Sequence, residues 1–234
     1  MRRPSLTLAV LLACLLTGPA LAANGVEGLE PIFNVMNDKK INEIARDYHG
    51  EKNLSAPQRD LMRSTLHQSA LDLRQHLDKP ENKDLLAREG GTAVYMMAAA
   101  GLEEIVDVLL AYPEVRARLN EPTIHRTSIW AMTSLALMQS GDLCGRKDFF
   151  KDKNTQLLAA YHGTDPAASP FPGIRQKLEA AGATPKPAES RDLWAKICLS
   201  DPYSDTADEK IAAARRRIAD APDTLTAILA EMAR

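Results

Sequence analysis

The segment from Gly90 to Leu110 constrains the fold more than any other part of the chain. It reads GGTAVYMMAAAGLEEIVDVLL. Helical spacing continues on both sides of Gly101, with small residues before this glycine and aliphatic residues after it. Because Gly101 leaves almost no room for a linker, the pattern predicts a tight hairpin of two helices. Such a hairpin cannot bury its faces alone, so the pattern also predicts stacked neighbours.

Helical patterns dominate the rest of the chain, and strand signals are weak. The spacing predicts a short helix over 38–48, with Ile41, Ile44 and Ala45 on its inner side. A longer helix is expected to begin at Ser55, because serine caps helices well and proline suits a first turn. Pro80 is expected to end this helix. The residues predicted to face the core are Leu61, Leu66, Ala70, Leu73 and Leu77.

The hairpin pattern returns further along the chain. Thr92 is predicted to cap the first helix of the first copy and Gly101 to end it. In the second copy, Thr127 aligns with Thr92 and Trp130 with Tyr95, and the second helix is expected over 155–161. Packing between hairpins is the favoured role of the two aromatic residues, and contact with a partner is the alternative.

These hairpins resemble the ankyrin repeat, although Ala93, Tyr95 and Leu102 depart from the pattern. The resemblance covers 64–185, and the helices of 186–234 are expected to cap the stack. It implies an all-α fold, a short solenoid of ankyrin-like helical hairpins with capping helices at both ends, and a protein-binding role. A helical solenoid of another family is the alternative. The matching residues are Gly90, Thr92, Ala98, Gly101, Glu104, Ile105, Val106, Leu109 and Leu110.

The N-terminal 22 residues have the pattern of a secretory signal peptide. Arg2 and Arg3 precede an apolar run, and Ala20-Leu21-Ala22 matches a cleavage site. Cleavage after Ala22 predicts a periplasmic protein whose residues 23–234 form a single helical domain. The alternatives are an uncleaved anchor and a lipoprotein attached through Cys14.

Composition narrows the range of partners and chemistries. Without Arg2 and Arg3 the chain carries 27 basic and 31 acidic residues, which argues against a nucleic-acid partner. No segment of the mature chain has the apolar length that stable membrane insertion needs. The histidines form no metal-binding motif, and no catalytic or cofactor-binding fingerprint is present. We therefore predict no enzymatic activity and no cofactor.

Two cysteines, Cys144 and Cys198, remain after cleavage of the signal peptide. A lone pair in an exported protein is most simply a disulfide. The bond would close a loop of more than fifty residues and contribute on the order of 4 kcal/mol. Two free thiols or a metal-binding pair are the alternatives.

The combined interpretation is an exported protein-binding module. We expect a periplasmic immunity protein that neutralises a toxic effector, such as a secreted bacterial toxin. A general envelope scaffold is the alternative and an envelope hydrolase a minor one; the oligomeric state stays open. Partner contacts are predicted on two connections before the hairpins and on a polar insertion between helices. The residues are Arg88, Glu89, Asn120, Glu121, His125 and Arg126 on the connections, and Phe149 and Phe150 in the insertion.

Overall fold

The computed structural model describes residues 39–122, 128–131, 133, 153–163, 165, 168–187 and 189. This part of the chain contains helices and no strands, which confirms the all-α class. None of its helices is both long and apolar enough to cross a membrane. The helices are α1 Lys39–Asp47, α2 Ala56–Leu77, α3 Lys83–Ala99, α4 Glu103–Leu110, α5 Pro113–Arg116, α6 Lys153–His162 and α7 Phe171–Ala180, with a 3-10 turn at Pro80–Asn82.

Helix α2 begins and ends close to where the sequence predicts. The Ser55 backbone N–H donates to Gln58 Oε1 over 3.1 Å, which fixes the start of the helix. One predicted core residue is wrong, because Leu61 is 36% exposed and Met62 is fully buried in its place. Leu61 lies one position off the helical stripe that the other buried residues follow. That stripe consists of Met62, Leu66, Ala70, Leu73 and Leu77.

The start of α3 contradicts the predicted cap at Thr92. The helix begins at Lys83, directly after the 3-10 turn, and runs through Gly90 and Thr92 without a break. Close packing explains the glycine, since a Cβ at position 90 would lie 2.7 Å from Val115 Cγ2 in α5. As a consequence, Arg88 and Glu89 are helical residues, and the projecting connection that we predicted for them is wrong.

The hairpin at Gly101 is confirmed. Gly101 adopts a φ of 71°, a left-handed conformation that favours glycine. The turn closes with two hydrogen bonds, from Gly101 N to Ala98 O and from Leu102 N to Met97 O. In α4, the aliphatic residues Ile105, Val106 and Leu109 are buried, and Leu110 is half-buried.

Helix α4 lies at the centre of the described core. It packs against α2, α3 and α7, while α5 packs against α3 and α6 packs against α1. Two backbone acceptors of α6 hold the N-terminal region: Leu54 N donates to Ala160 O, and the Tyr48 hydroxyl donates to Gln156 O. The helix predicted over 155–161 is present within α6, and its Leu157 and Leu158 are buried.

The aromatic residues of the two hairpin copies are both buried. Tyr95 and Trp130 are each 3% exposed, which favours the packing role over partner contact. Next to Trp130, the Ser128 hydroxyl accepts a hydrogen bond from Ala131 N, as a helix cap does.

Several predictions fall outside the described residues, namely the signal peptide with Cys14, the partner-contact residues His125, Arg126, Phe149 and Phe150, the cap at Thr127, the Cys144–Cys198 disulfide and the C-terminal helices.

Candidate functional site

An open cleft of about 380 Å³ lies at one end of the helical core. Four segments meet there: the first turns of α2, the turn between α3 and α4, the end of α6 and the residues just before α7. The polar side chains that line the cleft belong to Arg59, Arg63, Glu103, Glu104, Tyr161, His162 and Ser169.

The hairpin glycine and a histidine form the inner wall of the cleft. A Cβ on Gly101 would lie 2.5 Å from His162 Nε2, so only glycine fits here. His162 Nε2 lies 2.8 Å from Ala100 O. Because a carbonyl only accepts, the imidazole proton sits on Nε2. Burial lowers the pKa of His162, despite the opposing effect of the Ala100 bond, and the ring is neutral at pH 7. The Phe171 ring meets it edge-on at 5.6 Å.

Two arginines one helical turn apart enter the cleft from α2. The Arg59 guanidinium donates a long hydrogen bond of 3.4 Å to Leu54 O, and its buried Nε has no partner among the described residues. Arg63 forms an ion pair of 3.3 Å with Asp60, and both side chains of that pair are well exposed. Exposed pairs of this kind contribute little to stability. Both arginine side chains line the open cleft, with Arg59 half-buried and Arg63 exposed.

Two hydroxyl groups complete the donor set of the cleft. Burial raises the pKa of Tyr161, and the nearby Arg63 opposes this effect only in part. The phenol therefore keeps its proton at neutral pH and is able to donate a hydrogen bond. The Ser169 hydroxyl is buried and has no hydrogen-bond partner.

The carboxylates on the rim of the cleft are already paired. Glu103 accepts from Lys177 Nζ at 2.8 Å, and the same ammonium contacts Asp107 at 2.6 Å. Glu104 Oε2 lies 2.8 Å from His67 Nδ1. These pairs leave the two arginines and the two hydroxyls as the groups of the cleft that are able to donate to a ligand.

Four of the partner-contact residues predicted from the sequence belong to the described part of the chain, and none of these four lines the cleft. Arg88 is exposed and Glu89 half-buried on α3. The Asn120 side chain is engaged within the fold, because Nδ2 donates to Gly182 O at 2.8 Å and Oδ1 accepts from Thr184 N at 2.7 Å. Glu121 is paired with Arg118 at 2.7 Å. Sequence reasoning missed the cleft, although the spacing of Arg59 and Arg63 on one helix face was a usable signal.

No known protein family, no curated protein and no solved structure matches this chain. Among the described residues, no group of three or more His, Cys, Asp or Glu side chains is placed to hold a metal ion. The cleft instead gathers hydrogen-bond donors, so it is suited to binding an acceptor-rich group.

Proposed function

We propose that this protein is an exported protein-binding module, and specifically a periplasmic immunity protein that neutralises a toxic effector by direct contact. Three features support the proposal: the signal-peptide pattern of residues 1–22, the ankyrin-like hairpin at Gly101 and the open cleft beside that hairpin. We extend the ankyrin-like interpretation to a short solenoid with capping helices as part of the same proposal.

The single observation that carries the proposal is the presence of Arg59, Arg63 and Tyr161 in one open cleft. Arginine and tyrosine dominate the residues that contribute most to protein–protein affinity. The walls are built from packed helices and a tight turn, so little conformational entropy is lost on binding. We therefore place the contact surface at the cleft rather than at Arg88 and Glu89.

Co-purification tests the proposal directly. The full chain, tagged at its C-terminus and exported, is compared with the double variant Arg63→Ala/Tyr161→Phe and with the control Arg46→Ala. Arg46 is a suitable control because its side chain is 75% exposed on α1, away from the cleft. We expect the wild type and the control to capture a toxin encoded beside this gene and to protect cells from it.

The double variant should lose both capture and protection. Capture of many unrelated envelope proteins would favour the scaffold alternative, and protection without any contact would contradict direct neutralisation.

Intact-mass measurement tests the export step, since the mature chain should begin at Ala23. A diacylglycerol adduct on Cys14 would replace this interpretation with the lipoprotein one. Peptide mapping without reduction should find Cys144 joined to Cys198.

A further inference from the structure

Among the charged side chains that line the cleft, Arg59 is the one whose charge is least balanced by its described neighbours. Its side chain is half-buried, its Nε is buried without a partner, and its hydrogen bond to Leu54 O is long at 3.4 Å. A guanidinium offers five donors, and a partly buried cation is costly unless an anion faces it. Among the described residues, no carboxylate forms an ion pair with Arg59. The missing counter-ion is the feature that a ligand would supply.

The neighbours of Arg59 add further donors to the same space. The ion pair of Arg63 with Asp60 is exposed and contributes little to stability, and the Arg63 side chain also interacts with the Tyr161 hydroxyl inside the cleft. The Tyr161 phenol and the Ser169 hydroxyl also line the cleft. In addition, no side chain caps the start of α4 at Leu102, so the first N–H groups of this helix keep their partial positive charge.

The acidic rim narrows the class of anion. Glu103 and Glu104 line the cleft beside the arginines, and their repulsion of a ligand rises with the charge of that ligand. A singly charged carboxylate is therefore favoured over a doubly charged phosphate. Both oxygens of a carboxylate also fit the planar fork of a guanidinium.

We propose that Arg59 and Arg63 bind a carboxylate group of the protein partner, with Tyr161 and Ser169 donating to the same group. The inference rests on the proposed function, because it names the chemical group that a partner presents to the cleft. The volume of about 380 Å³ lies near the small end of ligand pockets, which suits one acidic side chain with its flanking backbone.

A matched pair of peptides tests the carboxylate assignment. The full mature chain is titrated with acetyl-Ala-Glu-Ala-amide and with acetyl-Ala-Gln-Ala-amide, and backbone amide shifts are followed by NMR. The Glu peptide should shift the resonances of Glu104 and Ile105 in a saturable way, and the Gln peptide should not. Equal shifts with both peptides would overturn the assignment, as would inorganic phosphate that binds where the Glu peptide does not.

Variants then assign the binding to individual side chains. Arg59→Gln should weaken binding of the Glu peptide at least about tenfold, because charge-assisted hydrogen bonds are lost. Tyr161→Phe should weaken it severalfold, and Arg46→Gln should leave it unchanged. If Arg59→Gln does not fold, Arg59→Lys keeps the charge without the fork and should still bind more weakly. Wild-type affinity in Arg59→Lys or in folded Arg59→Gln would overturn the role of Arg59.

The two proposals fail in different ways. If the Glu peptide does not bind but partner capture still depends on Arg63 and Tyr161, the carboxylate assignment is wrong and the proposed function stands. If the Glu peptide and glutarate both bind through Arg59 but the cleft variants capture the toxin normally, the site takes carboxylates from another source. In that second case the cleft would still be a carboxylate-binding site, but the proposal that the protein partner supplies the carboxylate would be overturned.

Discussion

Two regions of the described core differ in how far their polar groups are satisfied. At the closed end, formed by Gly90, Val115, Asn120, Gly182 and Thr184, the side-chain amide of Asn120 is bonded on both sides and the helices touch closely. At the cleft end, the donors Arg59 Nε and Ser169 Oγ are buried without partners. The bonded amide of Asn120 thus stabilises the closed end. A buried donor without a partner costs free energy, as at the cleft end and also at His76 Nε2 and Arg175 Nη1 elsewhere in the described core.

This difference shows why exposure and polarity are poor guides to a binding site. Asn120 and Glu121 are exposed and polar, yet both side chains already have partners within the fold. Arg59 is less exposed, and no carboxylate in the described part of the chain forms an ion pair with it. A donor left unsatisfied by its own fold is the stronger indication of a ligand, because the fold gains nothing from keeping it.

The largest effect is expected from Gly101→Ala at the cleft end. The new side chain must adopt a φ near 71° and its Cβ would meet the His162 ring, so we expect a loss of roughly 2–4 kcal/mol of unfolding free energy. Urea unfolding measures it. Gly50→Ala is the matched control, because Gly50 also has a positive φ but nothing lies within 4 Å of its Cβ position. Equal losses in the two variants would show that the His162 contact is unimportant.

Gly90→Ala tests the close packing at the closed end. Its Cβ would lie 2.7 Å from Val115 Cγ2 and 3.3 Å from Val115 Cα. Overpacking is expected to cost about 1–3 kcal/mol, less a gain of up to about 1 kcal/mol from higher helix propensity. Thermal unfolding is the measurement. The double variant Gly90→Ala/Val115→Ala should not show the clash, and a normal melting temperature in the single variant would contradict the close contact between α3 and α5.

A smaller effect is expected from Asn120→Ala. This variant tests whether the closed end contributes to stability without contributing to ligand binding. Losing the bonds to Gly182 and Thr184 should cost about 1–2 kcal/mol, because each contributes about 0.5–1.5 kcal/mol net. Binding of the Glu peptide should remain unchanged, as measured by the same NMR titration. Glu121→Ala is the control, since its exposed pair with Arg118 should contribute less than about 1 kcal/mol. Weaker peptide binding in Asn120→Ala would place the site at the closed end after all.

The sequence predicted the local structure better than the site. The burial of Ile105, Val106 and Leu109 and the turn at Gly101 follow from periodicity and from the conformational freedom of glycine. The start of α3 was missed because Thr92 resembles a cap, while tertiary packing against Val115 accepts Gly90 within a helix. The cleft was missed because it joins residues more than a hundred positions apart, and the spacing of Arg59 and Arg63 does not by itself report which groups the fold places beside them.

The smallest expected effect is confined to acidic pH and to the inner wall of the cleft. Burial lowers the pKa of His162 below its usual 6.5, so the folded state favours the neutral ring. In the unfolded chain, His162 has its ordinary pKa of 6.5 and binds a proton more tightly than in the folded state. The free energy of unfolding is therefore highest above pH 6.5 and decreases as the pH falls from there through the lower pKa of the folded state. We expect the melting temperature to fall between pH 7 and pH 5, and to fall less in His162→Gln, whose side-chain amide can still donate to Ala100 O. Asn120→Ala should follow the wild-type pH profile, since its side chain does not titrate. Parallel profiles for wild type and His162→Gln would mean that the ring is open to water in solution, and that the wall behind Arg59 is less closed than the geometry indicates.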